Sequence, residues 1–335
     1  MSASLLLRRL LLAVPTLLGV ALTVFVLLRV VPGDPVAMMI VGESSPEDIR
    51  QLRVQYGLDK SIAEQFLIFL QDVASGNLGT SITLKQDVLG LVLGRLPATL
   101  ELAVVAIILS LIAGFLFALA ATYWRGSVVE TAIDSMNSVA LAIPEFLWAL
   151  LLILAFGVLW PVLPLSGRID PARSFEFSTQ FYLLESLATL RLSQVGELLQ
   201  HLILPATALA LPLLAVIARV LKSSLLEAGV QDYILLARVK GFSPPRVLFQ
   251  HALPNALLPT ITLTGVNFVF LVGGTVLVEL IFAYPGIGNL LYVAAVNRDL
   301  PLIQGVTIVF ACIFVLMNFA FDLLHAALNV RARDR

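Results

Sequence analysis

The chain is poor in almost everything a soluble enzyme relies on. Asp, Glu, Lys and Arg together make up only 13% of its 335 residues and aromatics 8%, with three histidines and one cysteine. A lone cysteine, Cys312, excludes an internal disulfide and any cysteine-based metal cluster. His201, His251 and His325 fall on separate predicted elements, so no histidine metal site is written into the sequence. No G-x-x-x-x-G-K-[ST] occurs, which excludes a P-loop for ATP, and no H-E-x-x-H. Ser166-Gly167, near a turn, lacks the flanking glycines of a nucleophile elbow. The net charge of −1 gives no bulk attraction to nucleic acid. Neither a fixed-period repeat nor a low-complexity tract is present.

What the chain has in abundance is apolar sequence: 59% of residues are hydrophobic and the mean hydropathy is +0.97, which belongs to membrane proteins. Six runs predict spans, at 10–28, 97–122, 128–159, 201–221, 257–282 and 300–324. Arg8 and Arg9 precede the first run as they would a signal peptide. The run is long for that role and no small-x-small cleavage site follows, so it reads as a span, with Arg29 snorkelling at its far end. The expected organisation is therefore an N-terminal end and first span over 1–31, an external segment over 32–96, and an all-α polytopic body over 97–335. Within the external segment Gly33-Asp34-Pro35 marks a turn, Ser45-Pro46 starts a helix, and an amphipathic stretch at 62–73 stops at Ser75-Gly76-Asn77. The loop at 161–200 is broken by Pro161, Pro164, Gly167 and Pro171, with a short surface helix at 181–190.

Six spans put both termini and the loop at 222–256 on one side. That side carries Arg8, Arg9, Arg125, Arg219, Lys222, Arg238, Lys240, Arg246 and the three C-terminal arginines, 11 of the 21 basic residues, and a net charge of +5. Its loops are about half as long as those of the other side, so its basic density is roughly double, which marks it as cytoplasmic.

Ionisable groups in or near spans are the next candidates for function. They are Glu101, Asp134, Glu145, Glu279 and Asp322, accompanied by Asn267, Asn318 and His325. Glu145 and Glu279 are candidate pore-lining residues; the competing reading makes them interfacial or helix-pairing groups. Gly265, Gly273 and Gly274 are expected to allow close helix packing.

A polar, basic island interrupts the apolar chain at 232–254, DYILLARVKGFSPPRVLFQHALP. Asp232 is a good N-cap for a short helix over 233–240, Lys240 falls in its last turn, and Gly241 supplies the residue that ends it. Ser243 then caps a second helix with Pro244 at its first position, and Pro254 limits its length. Tyr233, Leu236 and Ala237 are expected to share one face, with Arg238 largely outside it. A helix this short is marginal alone and needs a partner surface.

The island resembles the cytoplasmic coupling loop of ABC-transporter permeases, in which EAA is followed by three residues, Gly, nine residues and I-x-L-P. Ala237, Gly241, Leu253 and Pro254 fall at matching positions, while Leu235, Leu236 and His251 depart. DY-I-x-x-AR-x-KG followed by HAL-x-NALLP is closer to the version in the dipeptide, oligopeptide and nickel permease family. P-G-D-P, Y-G-L-D-K, G-N-L-G-T-S, LPATLEL at 96–102 and ELIFAYPGIG at 279–288 also resemble that family, and specifically the first of its two permease subunits. The C-terminal tail departs, with His325 and Val330-Arg331 where the family has Tyr and Pro-Arg. The resemblance implies a bacterial inner-membrane permease for di- or oligopeptides that is not itself an enzyme. It implies partnership with a second permease, two cytoplasmic ATPases that bind the ATP and Mg, and an external substrate-binding protein, with no cofactor on this chain. Asp232, Tyr233, Ala237, Arg238, Lys240 and Gly241 are the implied contacts to the ATPase. Nickel, glutathione or another small solute is the alternative cargo, and an ion-coupled transporter or an intramembrane hydrolase the alternative class.

Overall fold

The computed structural model describes residues 3–30, 59–173 and 175–328. These form helices α1 (Ala3–Val30), α2 (Ile62–Ala74), α3 (Val88–Tyr123), α4 (Val128–Ala142), α5 (Glu145–Ile153), α6 (Tyr182–Ala188), α7 (Leu192–Ala228), α8 (Asp232–Val239), α9 (Leu253–Ile281), α10 (Ile287–Val296) and α11 (Leu300–Leu328). π-Helical turns extend α5 over Leu154–Leu159 and precede α9 over Val247–Ala252. Four helices are long and apolar enough to cross a membrane, or up to six if each of two bent pairs counts as one span. The turn at 33–35, the helix start at Ser45 and the C-terminal arginines lie outside the described residues.

The chain divides into two compact units, one comprising 1–96 and 286–316, the other 97–285 and 317–335. In the first, α2 begins with a reciprocal cap: Ser61 Oγ accepts from the Glu64 amide, and Glu64 Oε2 accepts from the Ser61 amide at 3.0 Å. Phe66 and Phe69 pack on Phe25 of α1, with ring centroids 5.1 and 5.8 Å away. The Arg29 guanidinium lies 3.4 Å from the centroid of the Phe25 ring and donates to Gln65 Oε1 from Nε and Nη2 at 3.0 and 2.9 Å, which ties the end of α1 to α2.

The second unit is organised around α7, which buries much of its length against α9, α4, α5 and α6. Ala206, Ala208, Ala210, Ala215 and Ala218 are buried along it, and small residues of this kind let helices approach closely in a membrane. A Cβ on Gly114 of α3 would come within 2.9 Å of Leu214 O and Ile217 Cγ2. The expectation of 201–221 for this span was too short, since both ends continue as polar but helical sequence.

The run at 128–159, expected as one span, is two helices meeting at 104°. Ile143 is extended (φ −100°, ψ 121°), as the residue before a proline prefers, and Pro144 cannot donate across the break. Pro254 likewise does not limit a helix. It sits in the first turn of α9, where a missing N–H costs nothing.

Candidate functional site

The short helix of the polar island is present as α8, with Gln231 in the capping position and Asp232 as its first residue. Asp232 therefore acts on the helix dipole from the first turn, without a capping hydrogen bond. Lys240 is the C-cap, and Gly241 at φ +79° takes the left-handed position that ends the helix. The buried face differs from the expected one. Ile234 and Ala237 are buried against Leu221, Leu225 and Ala228 of α7 and Val247 and Ala252 of the turn before α9. Tyr233, Leu235, Leu236 and Val239 are exposed, together with Arg238 and Lys240. Two overlapping apolar stripes, one starting at Tyr233 and one at Ile234 and both including Ala237, were available on this helix, and packing selected the one containing Ile234. The residue next to Gly241, Phe242, stacks on His251 at 5.4 Å, and the Arg246 guanidinium lies 4.4 Å from the Phe242 ring centre. The loop after α8 is thus pinned to the start of α9.

Glu145 and Glu279, paired as candidates from sequence, are in different settings. Glu145 opens α5 immediately after the break at Pro144 and partly lines an open pocket of about 160 Å³ with Leu213, Val216, Asn267 and Leu271. A Cβ on Gly274 of α9 would sit 2.8 Å from Glu145 Oε1, so the glycine admits the carboxylate. Glu279 is fully buried and accepts a hydrogen bond of 2.6 Å from Thr99. It is not among the residues lining that pocket, and its bond to Thr99 links α9 to α3.

Sequence reasoning missed Arg168 altogether. Its Nη2 lies 2.5 Å from Glu101 Oε2 and donates to Gln180 O at 2.9 Å, with the guanidinium 3.9 Å from the Tyr182 ring centre. Glu101 Oε1 accepts from the amides of Leu183 and Leu184 at 2.9 and 3.1 Å, so a carboxylate of α3 caps the first turn of α6. Tyr284 is fully buried in the turn after α9, and burial pushes its hydroxyl pKa up. The loop at 161–181 is thus clamped to α3 and to the turn at 282–285, where the Gly167 amide donates to Phe282 O. The partners lie 67 residues apart, and no local pattern announces the pair.

Four helices able to cross a membrane, or up to six with the bent pairs, and, within the second unit, a pocket between helices and a short exposed helix pinned across two helix ends define a multi-pass membrane component. The chain belongs to the family of binding-protein-dependent transport system inner membrane components, which it matches over residues 106–334, and residues 2–103 match the N-terminal region of such components. It is 39% identical to the di/tripeptide transport system permease protein DppB of Pseudomonas aeruginosa, over 98% of both chains. It is 36% identical to the dipeptide transport system permease protein DppB of Escherichia coli K12, again over 98% of both. Among solved structures, an inward-facing MetNI methionine ABC transporter chain aligns with 69% of this chain and 93% of its own, at TM-score 0.48 and 17% identity.

Proposed function

We propose that the chain is a permease subunit of an ATP-driven importer of di- and tripeptides, forming half of the path along which an external binding protein delivers them. The observation that carries this reading is the full-length similarity to peptide permeases, which spans both the body and the N-terminal segment. In this reading the six spans are α1, α3, the bent pair α4–α5, α7, α9 and α11. Both termini and α8 face the cytoplasm, as the basic density of that side supports. The segment between α1 and α3 and the clamped loop at 161–181 are external. ATP and Mg reside on two ATPase subunits, and a second permease completes the path.

The lever is α8. Its buried residues, Ile234 and Ala237, fasten it to the end of α7 and the start of α9. Its exposed Tyr233, Leu236 and Arg238 are left for the ATPase surface. Approach of the ATPases displaces α8, and because α8 is packed on the end of α7 and the turn before α9, its displacement moves the helices that flank the path. Deletion of this gene from a strain auxotrophic for an amino acid, with no other peptide importer, is expected to abolish growth on dipeptides containing that amino acid. Undiminished growth overturns the peptide assignment.

A further inference from the structure

We infer that one face of α7 is a charge-polarised track for a short peptide, Glu145 receiving its ammonium end and Arg219 its carboxylate end. This rests on the reading of the chain as a peptide permease. Two pockets follow one another along α7. The first, of about 160 Å³, contains Pro212, Leu213 and Val216 beside Glu145 and Asn267. The second, of about 290 Å³, contains Arg219, Lys222 and Ser223 beside Asp134, Asn137 and Ser138, so two cations face one carboxylate there. Positions 212, 216, 219 and 223 advance by three or four residues and so form one stripe. The bent pair α4–α5 lines both pockets in the reverse chain order, with Asn137 of α4 at the second and Glu145 of α5 at the first.

The charges on this stripe are unequal in their company. Lys222 is held by Glu130 at 2.7 Å and Asp134 at 2.6 Å, which satisfies it. Neither Glu145 nor Arg219 has a hydrogen bond or ion pair among the described residues. A carboxylate left uncompensated within a span is costly, and its retention fits a cation that comes and goes. Asn137 adds a buried Oδ1 with no donor, an acceptor suited to a peptide N–H. The spacing also fits. Seven residues of helix separate Pro212 from Arg219, roughly 10 Å along α7, and two or three extended residues span roughly 7–11 Å. A longer peptide would overrun one charge, and a capped peptide would leave one unmatched.

The test uses the transporter assembled with its partner subunits in proteoliposomes, comparing Glu145→Gln and Arg219→Gln with the unaltered protein. Substrates are dialanine, N-acetyl-dialanine and dialanine amide. Glu145→Gln is expected to slow dialanine uptake about tenfold, the size of one lost charged contact, and to leave N-acetyl-dialanine uptake unchanged. Arg219→Gln is expected to spare dialanine amide in the same way. Because the binding protein is common to all arms, its own preferences cancel in each variant-to-parent ratio. A second measurement needs no altered substrate. With Val216→Cys in a Cys312→Ser background, dialanine delivered during turnover should slow thiol alkylation, and adding both charge substitutions should remove that protection. Equal losses on all three substrates, with protection unchanged, would assign the two charges to the partner permease and overturn the track. Failure of the unaltered transporter to import any peptide, while its binding protein still stimulates ATP hydrolysis, would instead remove the peptide reading and the track with it.

Discussion

Glu101 and Glu145 are both glutamates of the same helical unit, and the structure treats them in opposite ways. Glu101 is buried, paired with Arg168 and used as a cap by two amides of α6. Glu145 is half-buried on a pocket wall beside Gly274, with no hydrogen bond or ion pair among the described residues. A buried carboxylate that accepts three hydrogen bonds, one of them from a guanidinium, holds parts of the chain in register, because removing the cation leaves a charge stranded. One without such partners holds no part of the chain in register, which leaves its charge for the substrate contact proposed above. Burial of an acidic residue in a span is therefore a poor guide to function until its partners are known.

The sharpest way to break this comparison is to make the clamp behave like the groove. Arg168→Leu strands Glu101 and should cost about 3–5 kcal/mol, read as a sharp fall in thermal stability in detergent. Glu145→Gln should leave the same melting curve in place. If both curves move equally, the distinction between the two glutamates fails. The lever offers the next contrast. Ile234→Ala removes a fully buried side chain beneath α8 and should cost about 2–4 kcal/mol, releasing α8 to proteolysis. Tyr233→Ala, on the exposed face, should leave proteolysis unchanged and reduce co-purification of the ATPase. Gly241→Val places a β-branched residue at φ +79°, a strain of about 1–3 kcal/mol. It should preserve membrane insertion while lowering transport. The smallest effect concerns Glu185, whose carboxyl is held below its ordinary pKa by the Ser178 amide first and then by Thr179. Since its folded pKa is depressed, its contribution is present above the ordinary carboxylate pKa and is lost as pH falls through the lower folded value. The protection of the Ser178 and Thr179 amides against exchange, relative to their intrinsic rates, should be lost only in acid, and Glu185→Gln should lower that protection at neutral pH as well.

The spans were legible in the sequence because uncharged apolar length is itself the requirement for crossing a bilayer. Gly241 was legible too, since a helix end needing a left-handed residue selects glycine. What could not be read was anything settled between distant residues. Arg168 meets Glu101 from 67 positions away, and Thr99 reaches Glu279 across 180. Both pairings are products of packing, and neither leaves a spacing to find. The bend at Pro144 lies between these cases. The proline and the residue before it were visible inside the run at 128–159, but hydropathy sums over direction and is blind to a turn of 104°. On α8 the apolar positions were visible, while the choice between the Tyr233 and Ile234 stripes belonged to the end of α7.

The π-helical turn over Val247–Ala252 makes chain length, rather than chemistry, the control on orientation. A wide turn accommodates one residue more than an α-turn, and each residue of an α-helix corresponds to roughly 100° of rotation. The turn therefore acts as a phase shifter between the pinned stack of Phe242 and His251 and everything along α9. On its far side the angular setting decides that Asn267 and Gly274 look toward Glu145 while Gly265 looks toward Phe321. Deleting a single residue here would turn α9 on its axis and present another face to Glu145, whereas most substitutions of the same residues would leave the bearing untouched.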